Sequence, residues 1–91
     1  MSSEPELESL LAFPCDFPIK VMGESVQGFA QAVTDIVLRH APDFDPASVE
    51  MRPSRLGKYL SLTITVRAQS REQLDALYRE LCDHAMVKMV L

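Results

Sequence analysis

Several things are scarce in this sequence. It has no asparagine and no tryptophan, three glycines, two cysteines and only nine basic residues against thirteen acidic ones. The net charge of −4 argues against a general polyanion binder, because sequence-independent affinity for nucleic acid rests on many cationic phosphate contacts. No apolar run approaches the ~20 residues of a membrane span. The opening "MSSEPELESLLAF" is acidic and lacks both the basic start and the long apolar core of a secretory signal. Cys15 and Cys82 are too far apart for a metal or redox spacing. Two isolated cysteines in an unsecreted chain point to a reducing cytoplasm, where they are expected as ordinary buried or half-buried thiols. No glycine-rich phosphate cradle is present.

What is there suits one small soluble domain. The chain has 91 residues, 47% hydrophobic and 24% charged. A chain of this size buries only about two-thirds of its unfolded surface, so one core is expected and little room for a deep cleft.

The pattern along the chain divides into six main elements and an N-terminal extension, residues 1–13. Ser3 and Glu6 have capping-box spacing, and Leu7, Leu10 and Leu11 follow at one-face helical spacing. This predicts a short N-terminal helix ended by Pro14. Phe17, Ile19 and Val21 alternate with Pro18, Lys20 and Met22 as a first strand, which Gly23 is expected to end. Val26, Phe29, Ala30, Val33, Val37 and His40 predict an amphipathic helix over residues 25–40, capped by Ser25. Pro42 and Pro46 bracket a turn. Val49 and Met51 alternate with Glu50 and Arg52 in a second strand, and Pro53 marks it as an edge. "SRLGK" reads as a hairpin loop with Gly57 at a positive φ. Residues 59–67 form the clearest strand, with Leu60, Leu62, Ile64 and Val66 on one side and Ser61, Thr63, Thr65 and Arg67 on the other. Ser70 caps a second helix, with Gln73 at the capping-box position and Leu74, Leu77, Tyr78 and Leu81 as its stripe. "MVKMVL" is a fourth strand.

Strand, helix, strand, strand, helix, strand, each with one apolar side, predicts an α+β domain of the ferredoxin-like βαββαβ type. Both helices then cover one face of a four-stranded antiparallel sheet. Strands one and three are central; two and four are edges.

The blocks "LLAFPCDFPIKVMG", "RHAPDFDP", "RPSRLGKYLSLTITV" and "VKMVL" resemble the YbeD-like family of small bacterial proteins of unknown function. The resemblance covers residues 10–91. It implies a ferredoxin-like fold similar to the regulatory ACT domains of amino-acid-metabolising enzymes. Members are often encoded beside lipoate-attachment genes, which implies a regulatory link to lipoate metabolism. The family carries no agreed catalytic residues, so none transfers.

A catalytic function lacks the residues it would need. "SVQGF" resembles part of the acylphosphatase motif, but that chemistry needs a nearby arginine for the phosphate and an asparagine for the water. The next arginine is Arg39, most of a helix away, and asparagine is absent. Gln27 and Gly28 also fall inside the predicted helix. Fold likeness alone carries no activity. No catalytic residue is expected, and no cofactor or metal. Asp43 and Asp45 between two prolines read as a turn. His40 and His84 lack partners at zinc spacing.

Binding surfaces remain. ACT domains hold amino acids where the first strand meets the first helix, which points to Met22, Gly23, Glu24 and Ser25. The alternative is that Gly23 is only a turn; Glu24 also disfavours an anion there. The uncovered sheet face is expected to carry Lys20 and Met22, Thr63 and Thr65, Lys88 and Val90, and Glu50 and Arg52. Base stacking would need aromatics on this face, and only Tyr59 could serve, so nucleic acid is not expected as a partner. The bland alternative is a solvated face. Arg52, Arg55 and Lys58 make the hairpin locally basic, fit for an acidic partner or simply for water. The apolar fourth strand at an edge invites a cover, either the Leu7/Leu10/Leu11 segment or a second subunit. The expectation is a non-enzymatic cytoplasmic regulatory or sensor module that binds a small metabolite or a partner enzyme, as a homodimer. The alternative is an adaptor that uses the basic hairpin and the open face.

Overall fold

The structure is a computed structural model that describes residues 12–91. The predicted N-terminal helix and its leucines lie outside these residues. Strand β1 (Cys15–Glu24) is followed by helix α1 (Phe29–His40), a short 3-10 turn (Pro46–Ser48), β2 (Glu50–Pro53), β3 (Tyr59–Ala68), α2 (Arg71–Asp83) and β4 (Val87–Val90). The strands form one antiparallel sheet in the order β2-β3-β1-β4. This is the expected ferredoxin-like arrangement, with β1 and β3 central.

The core lies between the sheet and the two helices. Ile19, Val21, Leu62, Ile64 and Val66 point from the strands onto Phe29, Val33, Ile36 and Val37 of α1 and Leu74, Leu77 and Leu81 of α2. The alternation of two in the strands and of three to four in the helices puts each set on one side. Full burial of each such side chain contributes about 1.5–3 kcal/mol. Phe44, from the proline-bracketed turn, joins this core as a residue the spacing did not mark.

The strand–helix junction differs from expectation in four ways. First, β1 does not stop at Gly23 but runs on to Glu24. Second, α1 begins at Phe29, four residues late, and Ser25 is not its cap; Gly28 is, with φ 91° and no side-chain cap bond. A left-handed φ costs little only without a Cβ, which is why the chain turns here. Third, Gln27 and Gly28 therefore lie in the connecting loop rather than in the helix. Fourth, Val26 is not a core residue; it is 49% exposed. A helical stripe cannot start where the backbone is not yet helical.

Elsewhere the caps follow the pattern more closely. Ser70 accepts from the Gln73 backbone N–H at 3.1 Å. The Gln73 side chain reaches one residue beyond the cap, accepting from the Gln69 N–H at 2.6 Å, and its amide donates to the His40 carbonyl at 2.7 Å. It thereby ties the end of α1 to the start of α2. Asp45 is a helix cap too, accepting from the Ala47 N–H. Gly57 turns the β2–β3 hairpin at φ 76°. Cys82 is exposed, against the expectation of two sheltered thiols, while Cys15 is partly buried.

Candidate binding face of the sheet

The pairing of the strands sets which side chains meet on the face away from the helices. Lys20 lies opposite Thr63, which lies opposite Glu50; Met22 lies opposite Ser61, which lies opposite Arg52. Two rows of three therefore cross the sheet, with neighbouring strands about 4.8 Å apart. Leu91 continues the first row beyond Lys20. Its N–H donates to the Lys20 carbonyl at 2.8 Å, and the Lys20 N–H donates to its carbonyl at 3.1 Å.

These rows form two adjoining depressions. One, about 390 Å³, is lined by apolar surface of Met22, Pro53, Tyr59 and Leu91, with Lys20 and Arg52 beside it. The other, about 470 Å³, is polar, with Glu50, Ser61 and Thr63 and the same Lys20 and Arg52. The two cations thus stand where an apolar hollow meets a polar one. Neither has an ion-pair partner among the described residues. Unpaired cations beside apolar surface can hold a ligand that is anionic at one end and apolar at the other, since a charge-assisted hydrogen bond gains strength where water is displaced.

The hairpin stiffens one wall. Ser54 donates its N–H to the Tyr59 carbonyl at 2.8 Å, and its hydroxyl accepts from the Tyr59 N–H at 3.0 Å. The Lys58 ammonium sits 5.5 Å from the Tyr59 ring centre, a cation–π distance. Lys58 also accepts, through its carbonyl, from the Ser25 N–H at 2.8 Å. The β1–α1 junction and the hairpin are therefore joined at the same end of the sheet.

The four junction residues do not converge. Met22 lines the apolar depression, whereas Gly23 faces the helices, where a Cβ would lie 2.5 Å from the Phe29 ring and 2.4 Å from the Met86 carbonyl. Its missing side chain is taken up by packing. Glu24 and Ser25 are exposed.

Of the expected face residues, Lys20, Met22, Glu50, Arg52, Thr63 and Tyr59 come together. Thr65 stands one step further along β3, opposite Pro18. Val90 does not belong to this face. It lies opposite Val21 and packs against the core, because β4 carries a bulge: Met22 pairs with Met89 but Gly23 with Val87. The extra residue lets Val87 and Val90, three apart, both turn inward. Lys88 is exposed at that bulge, and Met89, opposite Met22, is 51% exposed. Pro53 and Leu91 were not singled out as lining residues; strand register is the signal that would have found them.

Charges outside this face do structural work. Glu80 on α2 receives both Arg39 and His40 from the end of α1, the latter at 2.7 Å. The Arg39 hydrogen bond, then the His40 one, hold the Glu80 carboxyl below its ordinary 4.5. A carboxyl depressed on folding contributes stability above its unfolded value, and that contribution is lost as pH falls through the folded value. Glu80→Gln is therefore expected to lower stability at neutral pH and to flatten the acid limb below about pH 4.5, read by urea denaturation across pH. An unchanged acid limb would remove this assignment. Asp43, Asp45, His40 and His84 do not gather; among the described residues no three acidic, histidine or cysteine side chains could hold a metal ion. No described helix is long and apolar enough to cross a membrane.

The fold and this face define a small α+β domain of ferredoxin-like type with one side of its sheet unclothed by the described helices. Residues 8–91 match the family described as a protein of unknown function, DUF493, and the chain belongs to that family. It is 62% identical to a UPF0250 protein of Bordetella pertussis over the full length of both chains. A UPF0250 protein of Nitrosomonas europaea is 61% identical over 84 residues, 92% of this chain and 97% of that one. One from Leptothrix cholodnii is 59% identical over the full length of both. These matches bear out the resemblance to a small bacterial family of unknown function.

Proposed function

We propose that this protein is a non-catalytic regulatory or sensor module that binds a small carboxylate-bearing ligand on its open sheet face. The observation that carries the reading is the placement of two cations, Lys20 and Arg52, with no ion-pair partner among the described residues, at the lip of the apolar hollow formed by Met22, Pro53, Tyr59 and Leu91. A free amino acid or a short acyl chain with a carboxylate has the matching polarity. The implied tie to lipoate metabolism makes lipoate and octanoate the first ligands to try. Ser25 to Gly28 of the "SVQGF" stretch lie in the loop before α1, and the missing asparagine and the distant Arg39 are what tell against acyl-phosphate chemistry.

A thermal-shift screen of amino acids, octanoate and lipoate is expected to raise the melting temperature with at least one of them. Sedimentation with and without that ligand reports any coupled homodimer formation. No shift with any of them would sink the small-ligand reading.

A second reading has its own observation. Leu56 at the hairpin tip is 88% exposed and is flanked by Arg55, Lys58 and Arg52, which have no acidic partners among the described residues. An apolar tip amid cations suits an acidic protein partner, a partner enzyme included. On this reading Arg55→Glu with Lys58→Glu weakens capture of the partner and removes its salt dependence. Binding indifferent to salt and to both substitutions would rule the hairpin out.

A further inference from the structure

We propose that two copies of this chain pair edge to edge along β2, antiparallel and with a two-fold axis at Met51, so that the open sheet face runs on across a dimer. The pairing does not rest on the ligand reading above. Three features point to this edge and to this occupant: its free backbone groups, its self-complementary charges and its exposed methionine.

The backbone of β2 has an unused side. The strand is an edge of the sheet, and all four of its residues are exposed. The Ser54 N–H donates to the Tyr59 carbonyl, which makes these two a hydrogen-bonded pair. In an antiparallel ladder such pairs recur at every second residue, so Arg52 with Ser61 and Glu50 with Thr63 are of the same kind. Met51 and Pro53 fall between them and turn their backbone groups away from β3. The Met51 N–H and C=O and the Pro53 C=O therefore line the edge with no partner among the described residues. A second β2 centred on Met51 exchanges two hydrogen bonds between the two Met51 residues. It also sets Val49 opposite Pro53, where the proline has only to accept.

The charges select the register. With both open faces on one side, residues that stand opposite must share a face, so the axis falls on a residue and not between two. On Glu50 it would oppose two carboxylates, and on Arg52 two guanidinium groups, and both arrangements are destabilising. On Met51 it opposes Glu50 of each copy to Arg52 of the other. These are non-hydrogen-bonded positions, about 4.5 Å between Cα atoms, where side chains come closest. Neither Glu50 nor Arg52 has an ion-pair partner among the described residues. Met51 stands opposite Leu62, on the helix side, yet it is 60% exposed, and its counterpart in a second copy would cover it. The other edge has no such complement: β4 is bulged, and its one charge is Lys88. A patch that complements itself is what a two-fold dimer requires, and each contact then occurs twice.

Charge exchange provides the test, read on the full chain by sedimentation equilibrium. The parent is expected to show a monomer–dimer equilibrium at or below about 1 mM. Glu50→Arg and Arg52→Glu are each expected to weaken it about tenfold or more, because each puts like charges opposite at two symmetric positions. Glu50→Arg reduces the net negative charge of the chain, so general repulsion between copies cannot explain a weakening there. An equimolar mixture of the two variants is expected to regain the association, since two like charges on one chain then face two opposite ones on the other. The two substitutions combined in one chain are expected to regain it as well. Amide exchange locates the contact: the Met51 N–H slows as chain concentration rises, and the Val90 N–H, on the β4 edge, does not. A chain that stays monomeric at about 1 mM overturns the proposal. So do single variants that associate like the parent, or a mixture that fails to regain the association. Slowing at Val90 with Met51 unchanged would place the contact on β4 and overturn it too. Lys20 stands two strands in from this edge, so Lys20→Glu is expected to lose carboxylate affinity and keep the association. Charge rescue with no ligand shift upholds the pairing and removes the ligand reading; a ligand shift in a strict monomer does the reverse.

Discussion

Gly23→Ala is expected to destabilise the fold by about 3 kcal/mol, at the upper end for overpacking a filled interior. The added Cβ would lie 2.4 Å from the Met86 carbonyl oxygen and 2.5 Å from the Phe29 ring. An oxygen of the backbone cannot swing aside as a side-chain tip can. Relief therefore requires β1 and the segment leading into β4 to part, or Phe29, which is fully buried, to leave its rotamer. A domain of this size has roughly 5–15 kcal/mol to lose, so the variant should remain folded in water but unfold at a markedly lower urea midpoint. Gly57→Ala is the comparison. Its Cβ would meet nothing within 4 Å, and only the positive φ opposes it. A cost of about 1 kcal/mol is expected there. Equal midpoints for the two variants would show that Gly23 is not held by close packing.

Reversing both Lys20 and Arg52 to glutamate is expected to weaken binding of a carboxylate ligand by a hundredfold or more. Each charge-assisted hydrogen bond is worth about 1.5–3 kcal/mol, and the substituted carboxylates would add repulsion. The fold should hardly notice, because both side chains are exposed and surface changes of this kind usually cost within about 0.5 kcal/mol. The comparison variant is Thr65→Glu, on the same face but outside both depressions. Titration calorimetry with the ligand found in the thermal screen separates the cases. A loss of affinity shared by all three positions would mean that net charge, not the depression, governs binding.

The candidate site was legible to unequal degrees. Lys20, Met22, Thr63, Glu50 and Arg52 could be placed on one face because strand side chains alternate and only one side of each strand is apolar. Pro53 and Leu91 could not, since membership of a hollow depends on which residues stand opposite across strands. Val90 was misplaced for a related reason. A bulge shifts the alternation by one residue, and nothing in "MVKMVL" marks where the extra residue falls. At the β1–α1 junction, the turn expected at Gly23 falls at Gly28, which the spacing put inside the helix, and Gly23 is instead the glycine that close packing requires. Both a turn and a close approach call for a missing side chain, and composition does not say which need a given glycine meets.

The sequence by itself determined the order of elements, the two apolar stripes of the helices, the edge position of β2 through Pro53 and the bacterial family. Those follow from periodicity, from a residue that cannot donate to a sheet ladder, and from identity along the chain. Only the tertiary structure decided that Gly23 is filled by Phe29 and Met86, and that Lys20 and Arg52 share the border of one hollow. Such neighbours are remote along the chain, and strand register and the close approach of packed layers bring them together.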